Sequence, residues 1–449
     1  MKKVECLSLL TWPRDIRLIF NQNFNMRIPV LQESAVFRYT TFFYLYIMQG
    51  IPAGFALTAI ANYLLGMHVA SQKVGAFIAL VGLPWTFQFI WGPLIDRFQY
   101  SVMGHRKHWI VLSQIAAVVA SLGLLIVKDP FYELPVLSAV FFIHSIFASI
   151  QVASVDAMAI TIAPLNERGK LNGFMRGGFL LGTAFGAAAL SYIMHAHGFR
   201  TAVLLQTIIL SIFTIVFFFT KIKRGDVLLP WNTSGQKEIM QPVNNPHLII
   251  LFKRIYAAIT NKKSLRYFLV VALVYFCSSV FIRSYTYHLI NVLKWPDKTV
   301  SLLQGSWGSV ITFIAIILAG TSSDKIGAKR MQVKVMWGIS IFLILLNSTF
   351  PLWHYSYYSG TALVLWNVAD PLLSVTVFTI LMGLCWEKVE GSQFTAYLAL
   401  INLCDVIGSY VTGWTVITIP SPILGFSGGL VIFIMMMFLK YRHYRTIPD

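Results

Sequence analysis

Five charged side chains and a histidine fall inside long apolar stretches: Asp156, Arg176, Arg283, Asp370, Asp405 and His144. A charge at the centre of a membrane helix costs about 2.5–3.5 kcal/mol on insertion scales, so each needs a partner or a water-filled cavity. Asn367, Asp370 and Ser374 share one helical face at i, i+3 and i+7, and Asp370 precedes Pro371, which frees a backbone carbonyl inside the helix. Asp405 shares a face with Asn402 and Ser409. A carboxylate desolvated in this way can take up and release a proton as its access alternates. Asp370 and Asp405, with Asp156 about 12 Å from its helix end, are therefore the proton-coupling candidates. The competing reading of the first two is a structural ion pair with Arg283. Arginine stays charged and grips carboxylates with a planar fork, so Arg283 and Arg176 are candidates for holding an anionic solute. Their alternatives are partnership of Arg283 with Asp405 alone, and of Asp156 with Arg176 or Arg106.

Uncharged groups extend the set. His144 and Gln151 lie seven apart, on one face; Gln49, Trp85 and Gln88 are further candidates for lining a cavity. Packing is the alternative for His144. Gly50, Pro52 and Gly54 should bend the first helix and let a neighbour approach closely. The four cysteines, Cys6, Cys277, Cys385 and Cys404, lack metal-ligand spacing, so neither a metal site nor a cofactor is expected. No G-x-x-x-x-G-K-[ST] or H-E-x-x-H segment occurs, so the expectation is neither an ATPase nor another enzyme. A membrane-embedded transferase is the rival of a different class, and it would need catalytic loops that the short connections do not offer.

A motif occurs twice. Gly92-Pro-Leu-Ile-Asp96-Arg97 is followed by Gly104, Arg106 and Lys107; Gly320-Thr-Ser-Ser-Asp324-Lys325 is followed by Gly327, Lys329 and Arg330. Each has a glycine, an acid four residues on, then a base and a basic turn. Glycine permits close helix contact, the acid suits a neighbouring helix N-terminus, and the bases can pair with acids across a bundle. Such contacts read as a gating latch biasing a two-state switch.

These residues must be positioned by membrane helices. Of 449 residues 57% are hydrophobic and 12% charged, about half the charged share of a soluble domain. A spanning helix needs about 20 apolar residues. Twelve such stretches lie near 38–65, 73–96, 108–127, 134–163, 170–194, 199–219, 266–291, 300–320, 331–350, 361–385, 391–415 and 420–439. Their uniform apolarity excludes a barrel. With the N-terminus inside, about 28 of the 35 basic residues fall on the cytoplasmic side, so both termini are expected there. Basic residues scattered between spans form no face, which argues against nucleic acid despite the net charge of +18. The organisation expected is a cytoplasmic leader 1–35, a six-helix bundle 36–219, a linker 220–265 with an amphipathic segment at His247–Thr260, a second six-helix bundle 266–440 and a cytoplasmic tail 441–449.

The paired motif resembles the signature between spans two and three and spans eight and nine of the major facilitator superfamily, the first copy stretched by Phe98 to Met103. Four further stretches resemble AmpG-type muropeptide permeases and the related acetyl-CoA transporters: Tyr46-Ile-Met-Gln49-Gly50-Ile-Pro52-Ala-Gly54; Pro84-Trp85 through Gln88 and Trp91 to Arg97; Gln151 through Asp156 to Glu167-Arg168-Gly169; and Gln393-Phe394 with Gly413-Trp414. The chain departs from that pattern at Gln88, where these families often carry lysine, at Val152, at Phe276 and Ser279, and in having Arg283 and Asp405. The resemblance implies an all-α membrane protein of major facilitator fold in the bacterial inner membrane, monomeric, importing a bulky polar or anionic organic solute, muropeptide-like, by alternating access and driven by protons. A ferric-siderophore permease is the alternative within the class.

Overall fold

The computed structural model describes residues 30–98, 101, 103–104, 106–164, 167–226, 253, 256–257, 260–305, 312, 315–316, 327–383 and 390–442. Gly320, Asp324 and Lys325 of the second latch, and nearly all of the amphipathic segment expected at His247–Thr260, lie outside them. Of Asp96 and Asp370 the backbone alone is described.

Among the described residues eleven helices are long and apolar enough to cross a membrane. In chain order they are α1 (Ala35–Gly66), α2 (Ser71–Ile95), α3 (Lys107–Ile126), α4 (Leu134–Ile162), α5 (Gly173–His197), α6 (Phe199–Phe219), α7 (Ser264–Val292), then α9 (Ala328–Ser348), α10 (Ser356–Phe378), α11 (Ser392–Thr418) and α12 (Ser421–Phe438). Between α7 and α9 lies α8, Asp297–Gly305, the start of the span expected at 300–320. Each helix begins within a few residues of its expected position, because an apolar run long enough to cross lipid can satisfy its backbone only as helix.

Two features shape the first bundle. The backbones of α1 and α5 touch along a row of small residues: a Cβ added at Gly54 would lie 2.1 Å from the Thr183 carbonyl oxygen, and one at Gly186 2.1 Å from that of Ile51. Both helices widen into a π turn at this crossing, Phe55–Ile60 in α1 and Phe185–Ala189 in α5, a local change of pitch often met at functional sites. The end of this bundle near Arg106 is tied by polar contacts. Arg38 pairs with Glu167 at 2.6 Å and also donates to the carbonyls of Leu31 and Gln32. The Leu31 and Gln32 amides donate to the Lys221 and Ile222 carbonyls, so the chain entering α1 is fastened to the chain leaving α6. Asp226 accepts from the Ile222 and Lys223 amides, and burial pushes its carboxyl above the usual range.

The second bundle holds one broken helix. Residues 367–368 form a turn separating Ser356–Trp366 from Ala369–Gly383 within α10. The face expected through Asn367, Asp370 and Ser374 spans this turn. Pro371 has no N–H for the Asn367 carbonyl and disfavours helix at the residue before it. That carbonyl accepts instead from Thr312 Oγ1 at 3.1 Å.

Candidate functional site

The two bundles meet along α2–α11 and α5–α8. A Cβ at Gly75 would lie 2.8 Å from the Ser409 carbonyl oxygen, and one at Gly413 equally close to that of Ser71. Ser71 Oγ donates to the Gly413 carbonyl at 2.9 Å. On the other contact, a Cβ at Gly305 would lie 2.7 Å from the Ala184 carbonyl oxygen. Asn62 on α1 donates to Ser301 Oγ at 2.9 Å and to Gln304 Oε1 at 3.0 Å, both on α8. These contacts close the end of the molecule that carries Gly66, His197 and Thr418, hereafter the His197 end.

Arg283 sits at this seam. Its Nε donates to Ser409 Oγ at 3.3 Å, its Nη1 to the Leu57 carbonyl at 3.2 Å, and its Nη2 lies 3.7 Å from Asp405 Oδ2. Asp405 is thus one partner among three, which corrects the reading of a pair with Asp405 alone. Leu57 belongs to the opposite bundle, inside the α1 π turn, so the guanidinium bridges the seam. The carboxylate side chain is 46% exposed and the arginine 22%. An ion pair this long and this wet is loosely held, and the fork can leave it for a better-placed carboxylate. The adjoining cavity, lined by Thr58, Asn62, Arg283, Gln304, Ser409 and Thr412 among others, measures about 40 Å³. That holds about three waters, against several hundred Å³ for an organic ligand. A sizeable solute can enter only when the bundles move apart.

The remaining candidates scatter along the interior. Asp156 accepts a hydrogen bond from Tyr46 Oη, so its direct partner is a tyrosine. Arg176 places its guanidinium 4.3 Å from the ring centroid of Phe378 in the opposite bundle, with its Nε buried and unpartnered. The expected Asp156–Arg176 pair is therefore corrected: no ion pair joins them among the described residues. Arg106 donates to the Ala157 carbonyl and Thr161 Oγ1 on α4, and the same region encloses a second cavity of about 100 Å³ bordered by Gly92, Arg106, Asp156, Thr161, Phe394 and Thr395. A Cβ at Gly92 would lie 3.3 Å from Thr395 Oγ1 on α11. Arg97 lies over its neighbour Phe98, and Arg330 is exposed at the start of α9.

Among the uncharged groups, both amide atoms of Gln49, Oε1 of Gln88 and Nε2 of His144 are buried without a hydrogen-bond partner among the described residues. Gln151 Nε2 approaches Met48 Sδ at 3.7 Å. Asn402 donates to the Trp85 carbonyl at 3.4 Å across the seam, and Asn367 to the Gln304 carbonyl at 3.3 Å. Ser374 Oγ and Tyr275 Oη lie 2.9 Å apart. Sequence reasoning overlooked Asn62, Gln304 and Tyr46. The signal available for Asn62 was a lone amide in an apolar run; for Tyr46 it was its place four residues before Gly50.

This architecture recurs in solved structures. The partially occluded, inward-open xylose transporter XylE from E. coli superimposes with a TM-score of 0.64 at 14% identity, covering 92% of this chain and 99% of its own. A nucleoside transporter, NupG, gives 0.63 at 13% identity, covering 89% and 99%. The likeness to these structures is one of fold. The sequence profile of the Major Facilitator Superfamily matches residues 39–409, and the chain belongs to that family. Among curated relatives, Putative transporter AmpG 1 of Rickettsia bellii is 22% identical over 400 residues, 83% of this chain and 94% of that protein. The anhydromuropeptide permease of Escherichia coli K12 is 23% identical over 384 residues, 82% and 72%. An uncharacterised Haemophilus influenzae protein, 28% identical, is matched over only 28% of its length. The chain is a multi-pass inner-membrane transporter of this superfamily.

Proposed function

We propose that the protein imports a bulky polar or anionic organic solute of the muropeptide type, driven by protons, through alternating access of the bundles 36–219 and 266–440. The observation that carries this reading is Arg283, held at the seam by a loose contact to Asp405 and bonded to the opposite bundle at Leu57. A solute carboxylate would displace Asp405 and take the guanidinium fork, since a closer, bidentate pair is the stronger one. Asp405, released from the guanidinium, is then the carboxylate that carries the proton in this reading. Solute and proton thus load together, and release of both restores the Arg283–Asp405 contact. The excess of basic residues on one side supports cytoplasmic termini, and in this reading the His197 end faces the periplasm. Relatives named for anhydromuropeptide support the cargo class.

The test is accumulation in proteoliposomes under an imposed proton gradient. Asp405→Asn should abolish accumulation while gradient-independent exchange persists. Its side chain is nearly half exposed, so neutralising it should cost no more than about 1 kcal/mol of stability, and folded protein should remain. Accumulation of an anhydromuropeptide at the normal rate by this variant would refute the coupling role. Accumulation of a ferric siderophore instead of muropeptide would refute the cargo.

A further inference from the structure

We propose that His195 and Asp297 form a proton-binding site that holds the two bundles together at the His197 end when the pair carries its extra proton and lets them part when that proton leaves. The site rests on the alternating-access reading above, and on neither its cargo nor Asp405.

His195 ends α5 in one bundle and Asp297 begins α8 in the other. The imidazole Nδ1 lies 2.8 Å from the Ser191 carbonyl oxygen, and Nε2 lies 2.8 Å from Asp297 Oδ2. A carbonyl and a carboxylate only accept. A neutral imidazole has one N–H and could satisfy only one of them, leaving a lone pair against an oxygen at the other. Both contacts are satisfied when the ring carries two protons, or when the second proton rests on Asp297; the pair then holds one proton more than His195 and Asp297 hold when parted and neutral and anionic. Two helix ends reinforce this. His195 lies in the last turn of Leu190–His197, where the dipole favours a cation, and Asp297 in the first turn of α8, where it favours an anion. Asp297 Oδ2 is buried and, among the described residues, accepts no well-aligned hydrogen bond, so the imidazole 2.8 Å away holds it by charge. The seat is tight: a Cβ at Gly66 would lie 3.1 Å from Asp297 Cβ and Cγ.

The surroundings leave Asp297 as the governing charge. From α1, Tyr63 presents its ring edgewise to the imidazole, centroids 5.9 Å apart, with Asp129 in electrostatic reach of Tyr63. From α8, Lys298 turns to the Tyr192 ring at 4.3 Å. Arg200 on α6 donates to the Leu125 carbonyl, and His68 is engaged with Asn291. His197 is the remaining titratable group of the same turn. The His195 and Asp297 side chains are 25% and 17% exposed, so their proton exchanges with the aqueous phase rather than with the membrane interior. Closure takes up a proton, so it is favoured in acid and lost as pH rises, the closed-to-open ratio changing at most about tenfold per pH unit. The change starts near pH ~6.5, where a histidine free in water titrates.

The experiment uses the full chain in lipid nanodiscs, both faces at one pH and no solute. Cys6, Cys277, Cys385 and Cys404 are replaced by serine, and spin labels are placed at Ala196→Cys and Thr299→Cys, one on each bundle. The short-distance population should dominate at about pH 5.5, and its ratio to the long-distance population should fall at least about tenfold by about pH 8.5. His195→Gln should flatten that response, and His195→Lys, a cation throughout this range, should stay closed at both pH values. His197→Gln and Asp405→Asn should titrate as the parent does. A parent without pH response, a His195→Gln variant that titrates normally, a His195→Lys variant that opens in base, or a response abolished by His197→Gln or Asp405→Asn would each overturn the proposal. Loss of uptake in Asp405→Asn with the distance response intact marks the coupling reading and this one as separate.

Discussion

Arg283 illustrates how much a single side chain can carry and how little of that is written in its neighbours along the chain. An arginine in an apolar run with Asp405 elsewhere invites an ion pair, and the two do face each other, but at 3.7 Å. The shorter contacts go to Ser409 Oγ and to a backbone carbonyl 226 residues away. A carbonyl has no sequence signature, since every residue supplies one. Lysine at this position would keep the charge and lose the fork. Arg283→Lys should weaken equilibrium binding of an anhydromuropeptide by at least about tenfold, about 1.4 kcal/mol, with protein levels unchanged. Undiminished binding would show that the arginine serves adhesion between bundles alone. Asp156 was equally opaque. Its charge suggested Arg176 or Arg106, yet Tyr46 reaches it and Arg176 settles on an aromatic face. Charge statistics favour ion pairs, and neither a tyrosine hydroxyl nor a ring carries the formal charge that would have advertised it.

At the scale of elements the sequence was far more informative. Spans follow from run length, and a run of apolar residues in lipid has one solution. The turn in α10 was half legible: Pro371 announced a freed carbonyl, but not that Thr312 would take it. The close approach of α1 and α5 was announced by Gly50 and Gly54, and the partner glycines, Gly182 and Gly186, became visible only in three dimensions. Gly54→Val would thrust methyl groups into the Thr183 carbonyl, which an added Cβ already meets at 2.1 Å. Backbone cannot yield as a side chain does, so the cost should reach at least about 3 kcal/mol, seen as a lower melting temperature in detergent and less protein in the membrane. Gly173, at the start of the partner helix α5 with nothing within 4 Å of its added Cβ, is the control. Gly173→Ala should be neutral or gain up to about 1 kcal/mol. Equal losses at both positions would dismiss the packing explanation.

For the whole molecule, the two-bundle plan was readable from the duplicated motif and the count of spans, because both are properties of order along the chain. The seam was not, because it joins α2 to α11 and α5 to α8, pairs remote in sequence. Its tightness at Gly75 and Gly413 makes a specific outcome expected. Gly413→Leu should wedge this contact apart, shift the Ala196–Thr299 label distance toward the long population at every pH, and slow transport; a distance distribution unchanged from the parent would refute the seam as the closing surface. The bond from Arg283 to the Leu57 carbonyl has a last consequence. The same guanidinium that would take the cargo is, in the empty protein, occupied in clasping the opposite bundle. If the fork takes the cargo as proposed, cargo and adhesion compete for it, and an unloaded carrier would resist cycling where a loaded one is released to move. Under the import cycle proposed above, such a clasp would spare the proton gradient a futile leak by keeping its own hand closed until something worth carrying arrives.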